Sequence, residues 1–251
     1  MREEKYVKEY FKKKGTVAKW WNPTNSDYSY LYEYELNIIK KEISKQNKEC
    51  ALEISCGKGR CTKELNYLFK EYLATDISKE MLSIAKKECP NVKFKIEDAE
   101  KLSFHSEYFD ILFCIAAIVH YPNPQFALNE FYRVLKKKGI LILDSDNTRS
   151  IRRIVKWIYR FFEKNKSIRG SDIFSTYTRK EIINMVKKAG FKIKKVRYIG
   201  LLSPITCHTK NGKEKIIFNE KKARIIHKLK IDNIPILNRL ATYHLIIAEK
   251  I

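Results

Sequence analysis

Ala51-Leu-Glu-Ile-Ser-Cys-Gly-Lys-Gly-Arg-Cys-Thr62 contains the strongest signal for the type of fold. It begins as an apolar strand and turns through Gly57 and Gly59 into a helical run from Arg60. Glycines in such a turn let the backbone approach a ligand, and open amides at a helix start favour polar or anionic groups. The next strand ends in Asp76, about 20 residues on, a spacing at which a carboxylate can accept hydrogen bonds from ribose hydroxyls. The stretch therefore predicts a nucleoside site.

The glycine pattern also limits the kind of nucleotide. A dinucleotide-binding turn would carry a third glycine where Thr62 stands. We therefore expect the turn to hold a nucleoside without cradling a pyrophosphate. A glycine pair that serves only the tight turn remains the alternative interpretation.

The apolar pattern outside this stretch predicts strands that alternate with helices. Continuous apolar strands separated by helices indicate a parallel sheet covered on both faces. We therefore expect an α/β fold with a doubly wound, mostly parallel sheet, helices on both faces and an antiparallel edge strand pair. The predicted parallel strands are residues 51–55, 72–75, 92–96, 110–115 and 140–143, and the edge pair is residues 191–198 and 243–248.

The chain is predicted to form a single domain over residues 1–251. Residues 1–35 are expected to form a helical and aromatic lid, because Trp20, Trp21, Tyr28 and Tyr30 could attract a cationic ligand or pack in the core. Residues 203–237 are predicted to be a basic insertion before the last strand.

The net charge of +22 comes from 51 Lys and Arg against 29 Asp and Glu. The positive electrostatic field of such a chain attracts RNA, DNA or an anionic membrane surface. The alternative interpretation is that the lysines only form a solvated surface. No apolar run has the length of a membrane span. The six cysteines form no CxxC pair, which favours buried thiols in the cytoplasm over disulfides or a metal site.

Four further motifs follow the opening stretch in order. They are Asp76-Ile-Ser-Lys-Glu-Met-Leu82, Glu97-Asp-Ala-Glu100, Tyr108-Phe-Asp-Ile-Leu-Phe-Cys114 and Phe131-Tyr-Arg-Val-Leu-Lys-Lys-Lys-Gly139. In this order and spacing they resemble the Rossmann-like (class I) S-adenosylmethionine-dependent methyltransferases, small-molecule branch. The resemblance covers about residues 36–200 and the closing strand.

The resemblance implies S-adenosyl-L-methionine as the cofactor and no metal. It implies that an acidic residue and the glycine turn hold the methionine end, that Asp76 binds the ribose, and that the segments after the second and third strands contact the adenine. The cofactor-binding residues so implied are Glu53, Ser55, Gly57, Gly59, Asp76, Ile77, Met81, Asp98, Ala99 and Cys114. Ser55 and Lys138 depart from the family pattern, which commonly has glycine at both positions.

His120 follows the fourth strand at the carboxyl edge of the sheet, where this architecture binds ligands. Its imidazole is the candidate general base for the acceptor, and a positioning role is the alternative. The predicted function is methyl transfer to a small-molecule or lipid-like acceptor.

Two other functions stay open. One is RNA methylation, although Phe113-Cys-Ile-Ala116 lacks the Asn/Asp-Pro-Pro-aromatic signature of base amino-group methylators. The other is a nucleoside-binding regulator without catalysis. The basic amphipathic run Ile151–Phe162 is predicted to be a packed helix, a lid over the acceptor, or a contact to membrane or nucleic acid.

Overall fold

The chain folds around one large sheet. The structure, a computed structural model, describes residues 9–10, 29–163, 175–201, 205–208, 214–228, 234 and 237–251. Trp20, Trp21 and Tyr28 of the predicted lid lie outside these residues. The helices are α1 (Ser29–Ile43), α2 (Arg60–Leu65), α3 (Lys79–Glu88), α4 (Pro124–Val134), α5 (Ile151–Glu163), α6 (Arg179–Lys188) and α7 (Glu220–Lys228). The strands are β1 (Cys50–Ile54), β2 (Glu71–Asp76), β3 (Lys93–Ile96), β4 (Phe109–Cys114), β5 (Leu135–Asp146), β6 (Phe191–Ile199), β7 (Ile205–His208), β8 (Glu214–Phe218) and β9 (Tyr243–Lys250).

Seven strands form the sheet in the order β3-β2-β1-β4-β5-β9-β6. The first five strands pair in parallel, and β9 lies antiparallel between β5 and β6. This topology confirms the predicted doubly wound, mostly parallel sheet with an antiparallel edge pair. The order reverses between β1 and β4, and ligands bind outside the carboxyl ends of strands at such a switch point.

Alternate residues of the central strands supply two separate cores. In β4, Leu112 packs into the core that includes Phe131 of α4 and residues of α6. Its neighbour Ile111 packs into the core that includes Ile39 of α1 and residues of α2 and α3. Because the central strands β1 and β4 are buried on both faces, helices cover the middle of the sheet on both sides.

The junction between α4 and β5 differs from the prediction. The strand was predicted to cover only residues 140–143, but α4 ends at Val134 and β5 already begins at Leu135. Leu135 pairs with Phe109, and the register then shifts before Ile140 pairs with Ile111. The run of lysines before Gly139 is therefore an irregular part of the strand and not the last turn of a helix.

The segment predicted as a basic insertion has regular structure. It contains β7 and β8, which pair with each other as a separate antiparallel sheet, and then α7. The weak periodicity of this stretch reflects short elements in quick succession. Among the helices that the structure describes, none has the length and apolarity needed to cross a bilayer.

Candidate active site

The turn between β1 and α2 exposes part of its backbone to open space that a ligand can occupy. Gly57 has φ 56°, and a Cβ placed on it would meet no atom within 4 Å. Gly59 has φ 82°, and its Cβ would lie 3.1 Å from the Ala85 Cβ of α3. Both residues occupy the left-handed region that favours glycine. Gly57 therefore leaves room for a ligand against the backbone, while Gly59 allows α2 to start close to α3.

Asp76 joins this turn to the end of β2. Its Oδ2 accepts a hydrogen bond from the Gly57 N–H at 2.9 Å, and its Oδ1 accepts one from the Ser78 N–H at 2.8 Å. Burial raises the pKa of the Asp76 carboxyl, and the backbone hydrogen bonds partly offset this effect. A carboxylate offers about four acceptor positions, so these two bonds leave Asp76 able to accept from ribose hydroxyls.

Glu53 lies beneath the turn and is buried. Its Oε2 accepts hydrogen bonds from the Thr62 hydroxyl of α2 and from the Tyr72 hydroxyl of β2, the latter at 2.9 Å. Burial raises the pKa of Glu53 to about 7, although both hydrogen bonds lower it. In this arrangement the Glu53 side chain fastens α2 and β2 to the end of β1.

Ser55 occupies a backbone conformation that glycine normally takes. Its φ is 56°, in the left-handed region that is strained for a residue with a Cβ. The Ser55 hydroxyl lies 2.9 Å from the Tyr121 hydroxyl, which lies 3.4 Å from the Cys114 sulfur. These contacts tie the end of β1 to the end of β4. Cys114 is fully buried and faces the α4 side of the sheet, and Tyr121 was not predicted as a site residue.

The residues implied for the adenine lie at the neighbouring strand ends. Ile77 follows β2 and is half-buried, and Met81 in the first turn of α3 is buried. Asp98 follows β3 and is half-buried, with its Oδ1 accepting a hydrogen bond from the Glu100 N–H at 3.0 Å. Ala99 beside it is buried. Because β2 and β3 pair in parallel, all four residues come to one edge of the sheet.

His120 ends a short 3-10 turn, Ile118–His120, just beyond β4. Burial of the ring lowers its pKa to about 4, and a hydrogen bond with the backbone of Ala116 partly opposes this effect. The imidazole is therefore neutral at pH 7. A neutral imidazole can accept a proton, but so low a pKa makes it a weak base.

Three acidic side chains are found on the β4–β5 side of the point where the strand order reverses. Asp144 and Asp146 lie at the end of β5, and Glu35 lies on α1. Asp144 accepts a hydrogen bond from the Ala116 N–H just beyond β4. Burial raises the pKa of Asp144 to about 7 and that of Asp146 to about 6.

Sequence reasoning missed these three carboxyl groups, although the pattern contains a signal for them. Asp144 and Asp146 continue the alternation of Ile140 and Ile142, so they share a face of β5. Glu35 stands four residues from both Leu31 and Ile39, within the apolar stripe of α1.

Comparison with known proteins identifies the family. Residues 52–143 match a sequence family described as a methyltransferase domain. An uncharacterised protein of Methanocaldococcus jannaschii is 31% identical over 189 residues, which are 75% of this chain and 80% of that protein. A ubiquinone biosynthesis O-methyltransferase of Coxiella burnetii is 25% identical over 134 residues, 51% of this chain and 57% of that enzyme.

This chain belongs to the Rossmann-like class I S-adenosylmethionine-dependent methyltransferases. The fold of this methyltransferase also matches solved structures. A putative methyltransferase of Bacillus halodurans aligns with a TM-score of 0.60 at 20% identity, covering 86% of this chain and 99% of that one. A protein of Pyrococcus horikoshii aligns with a TM-score of 0.62 at 19% identity, covering 95% and 100%.

The protein is thus an enzyme that uses S-adenosylmethionine as its cofactor. The residues at the carboxyl edge fit that molecule, because Gly57 borders open space and Asp76 has acceptor capacity beside it. Over the described ranges, no three or more His, Cys, Asp or Glu side chains form a group that could hold a metal. Five cysteines (Cys50, Cys56, Cys61, Cys89 and Cys114) are buried free thiols, and the side chain of Cys207 lies outside the described residues.

Proposed function

We propose that this methyltransferase transfers the methyl group to a small-molecule or lipid-like acceptor held over the carboxyl ends of β4 and β5. The observation that carries the proposal is the asymmetry of the switch point. Gly57 and Asp76 meet on the β1–β2 side, and the Asp144 carboxylate contacts the Ala116 N–H on the β4–β5 side. The cofactor then occupies the first side, and the acceptor reaches it from the second.

On the cofactor side, the proposed roles follow the strand ends. Asp76 binds the ribose, and the residues after β2 and β3 line the adenine. The glycine turn holds the methionine end, with Glu53 and Ser55 fixing the turn from below. Cys114 lies behind this surface and supports Tyr121. The proposed cofactor-binding set is Glu53, Ser55, Gly57, Gly59, Asp76, Ile77, Met81, Asp98, Ala99 and Cys114.

His120 is proposed to act beside the acceptor. Bound S-adenosylmethionine supplies a methyl group on a sulfonium that is already activated. What remains for the protein is to align the acceptor, exclude water and remove a proton where the acceptor has one. A neutral His120 can take that proton, and its short turn after β4 brings it to the proposed acceptor side.

Two observations bear on the acceptor class. The Coxiella relative is named for ubiquinone biosynthesis, which supports a lipid-like acceptor. In α5, the side chains of Ile154, Trp157 and Ile158 are exposed next to Arg152 and Arg153. Apolar and basic residues together on an exposed helix suit contact with an anionic membrane surface, from which such an acceptor could be taken.

The experiment that tests the proposal is transfer of labelled methyl from the cofactor into cell extract, separated into lipid, small-molecule, RNA and protein pools. We expect the label in the lipid or small-molecule pool. Label in RNA alone would contradict the proposed acceptor class and favour the RNA-methyltransferase alternative. No transfer to any pool, with cofactor binding intact, would favour the non-catalytic regulator.

A further inference from the structure

We infer that the acceptor carries an amine, which binds in its ammonium form between Glu35, Asp144 and Asp146. This inference rests on the proposed function, because it assigns the chemical class of the acceptor at the same site. The three carboxyl groups come from α1 and from the end of β5, and both elements contribute side chains to the same core.

The first observation is the position of the two aspartates. Ile140 and Ile142 pack into the core on the α1 side of the sheet. Because side chains alternate along a strand, Asp144 and Asp146 project to that same side at the end of β5. Asp144 is buried and is held by the Ala116 N–H, directly beside the end of β4. The pair therefore lies on the strand next to the switch point.

The second observation is independent and comes from α1. Glu35 is only 6% exposed, and its Oε1 is buried with no hydrogen-bond partner among the described residues. The pKa of Glu35 is raised well above its ordinary value by burial and then by repulsion from Asp144, with a smaller contribution from Asp146. Leu31 and Ile39, one helical turn on either side of Glu35, pack into the same core as Ile140 and Ile142 of β5. The Glu35 side chain and the two aspartates therefore lie on the same side of the sheet. A buried acceptor atom without a donor is costly, so its position indicates a ligand that supplies the donor.

Cationic side chains near the cluster offset part of its charge. Arg60, at the start of α2, lowers the pKa of both Glu35 and Asp144, and Arg153 of α5 lowers that of Asp146. The pKa of Asp144 is nevertheless raised to about 7 and that of Asp146 to about 6, chiefly because burial disfavours the charged form of each carboxyl group. An ammonium group has three N–H donors and one positive charge, and it suits carboxyl groups that lie on the same side of the sheet.

The same carboxyl groups suit the chemistry of an amine. An ammonium ion has no lone pair, so one proton must first pass to a base. For an amine acceptor this base is the Asp144 carboxylate, whose pKa is about 7, and the role proposed for His120 applies to other acceptors. The amine nitrogen then forms the bond to the methyl carbon as the methyl–sulfur bond breaks, and the electron pair of that bond stays on sulfur. The methylated ammonium leaves, and the carboxyl group returns its proton to water. Charge and atoms balance with no further reactant.

An ammonium group could also come from the methionine part of the cofactor, and a cofactor comparison distinguishes the two sources. Calorimetry should give the affinities of S-adenosylhomocysteine and of 5′-methylthioadenosine, which lacks the amino-acid part, for the wild-type protein and for Glu35→Gln. We expect both affinities to stay within about twofold of wild type. Weaker binding of S-adenosylhomocysteine alone would assign the cluster to the cofactor and overturn the inference.

The decisive experiment uses the small-molecule pool of a cell extract, fractionated on a cation exchanger at pH 7. We expect wild-type protein to place labelled methyl in products that the exchanger retains. Across a dilution series of that cationic fraction, Glu35→Gln should need about tenfold more of the fraction for half-maximal rate. The matched control is Glu33→Gln, because Glu33 lies on the same helix with its side chain 64% exposed, and it should behave as wild type.

Glu35→Gln keeps the size of a carboxyl group whose pKa is already raised well above its ordinary value, and it introduces no charge. The variant should therefore melt near the wild-type temperature, so loss of folding will not imitate the expected result. Label found only in neutral, anionic or lipid products would overturn the amine inference and leave the proposed function standing. The amine inference would also be overturned if Glu35→Gln needed the same amount of the cationic fraction as wild type to reach its half-maximal rate. No label in any pool would overturn both proposals.

Discussion

At the scale of single residues, the main question is whether His120 acts as a general base. Its ring has a pKa of about 4 because it is buried, so it stays neutral through the range in which most enzymes work. The depressed pKa also links His120 to stability. The contribution of the neutral ring is present above the unfolded pKa near 6.5 and is lost as the pH falls through about 4.

We predict that His120→Ala lowers the rate of methyl transfer by about 10²- to 10⁴-fold if His120 is the general base, with cofactor affinity near that of wild type. Because the ring is already neutral, this group should give no rise in the wild-type rate between pH 6 and pH 8. Single-turnover transfer of labelled methyl measures the rate, and His105→Ala, an exposed loop histidine, is the control. Weaker cofactor binding with an unchanged saturated rate would leave His120 only a positioning role.

Single site residues could be predicted where glycine or a strand end marks them. Gly57 and Asp76 stood out because a turn and a carboxylate follow buried strands at a known spacing. Glu35 did not stand out, because a carboxylate on a helix is normally solvated, and its position within the apolar stripe of α1 was the one sequence signal that it is buried. Tyr121 was missed because its role depends on the close approach of Ser55 from another strand.

At the scale of elements, the junction between α4 and β5 contains a strained residue. Lys138 has φ 63°, in the left-handed region that a side chain disfavours, and its side chain is exposed. The neighbouring Lys137 is also exposed and has no positive φ. The two lysines therefore form a natural pair for comparing backbone strain at equal charge and exposure.

We predict that Lys138→Gly raises the free energy of unfolding by about 0.5–1 kcal/mol, because glycine relieves the left-handed strain. Lys137→Gly should lower it by about 0.5–1 kcal/mol, because there glycine only adds freedom to the unfolded chain. Thermal unfolding should separate the two variants by a few degrees. Equal destabilisation by both substitutions would refute this interpretation of the junction.

The order and type of the main helices and strands could be predicted from the sequence, but some of their boundaries could not. Apolar runs predicted β1 to β4 within about two residues, since buried strands need continuous apolar side chains. The predicted start of β5 was wrong because Leu135–Lys138 contains no such apolar run. These residues join the strand because Leu135 pairs with Phe109. The helix and strands within residues 203–237 were missed for the same reason, because short elements give little periodicity.

At the scale of the whole molecule, a buried aspartate lies at the carboxyl end of the strands and another lies at the amino end, and the two have different partners. Asp76 lies at the carboxyl edge and accepts hydrogen bonds from the Gly57 and Ser78 amides. Asp110 lies at the amino end of β4, where it accepts from the Cys50 amide at 2.9 Å and pairs with Lys136 at 3.0 Å. Only the carboxyl edge is expected to bind the cofactor, because the strand order reverses there between β1 and β4.

The global charge contrasts with the local charge of the proposed acceptor site. The chain carries a net charge of +22, while the proposed acceptor site has the carboxyl groups of Glu35 on α1 and of Asp144 and Asp146 at the end of β5. Composition predicted the first property and gave no information on the second, because clustering of acidic side chains is a result of folding. A basic surface can therefore coexist with a site that favours a cationic acceptor.

A calorimetric titration of S-adenosylmethionine into wild type, Asp76→Ala and Asp110→Ala tests whether the cofactor binds at the carboxyl edge of the sheet. Wild type should bind S-adenosylmethionine in preference to NAD. Asp76→Ala should bind it about 10- to 150-fold more weakly, as expected for the loss of charge-assisted hydrogen bonds worth about 1.5–3 kcal/mol. Asp110→Ala should keep wild-type affinity and lose thermal stability. Unchanged affinity in folded Asp76→Ala, or weaker binding in Asp110→Ala, would contradict a cofactor site at the carboxyl edge of the sheet.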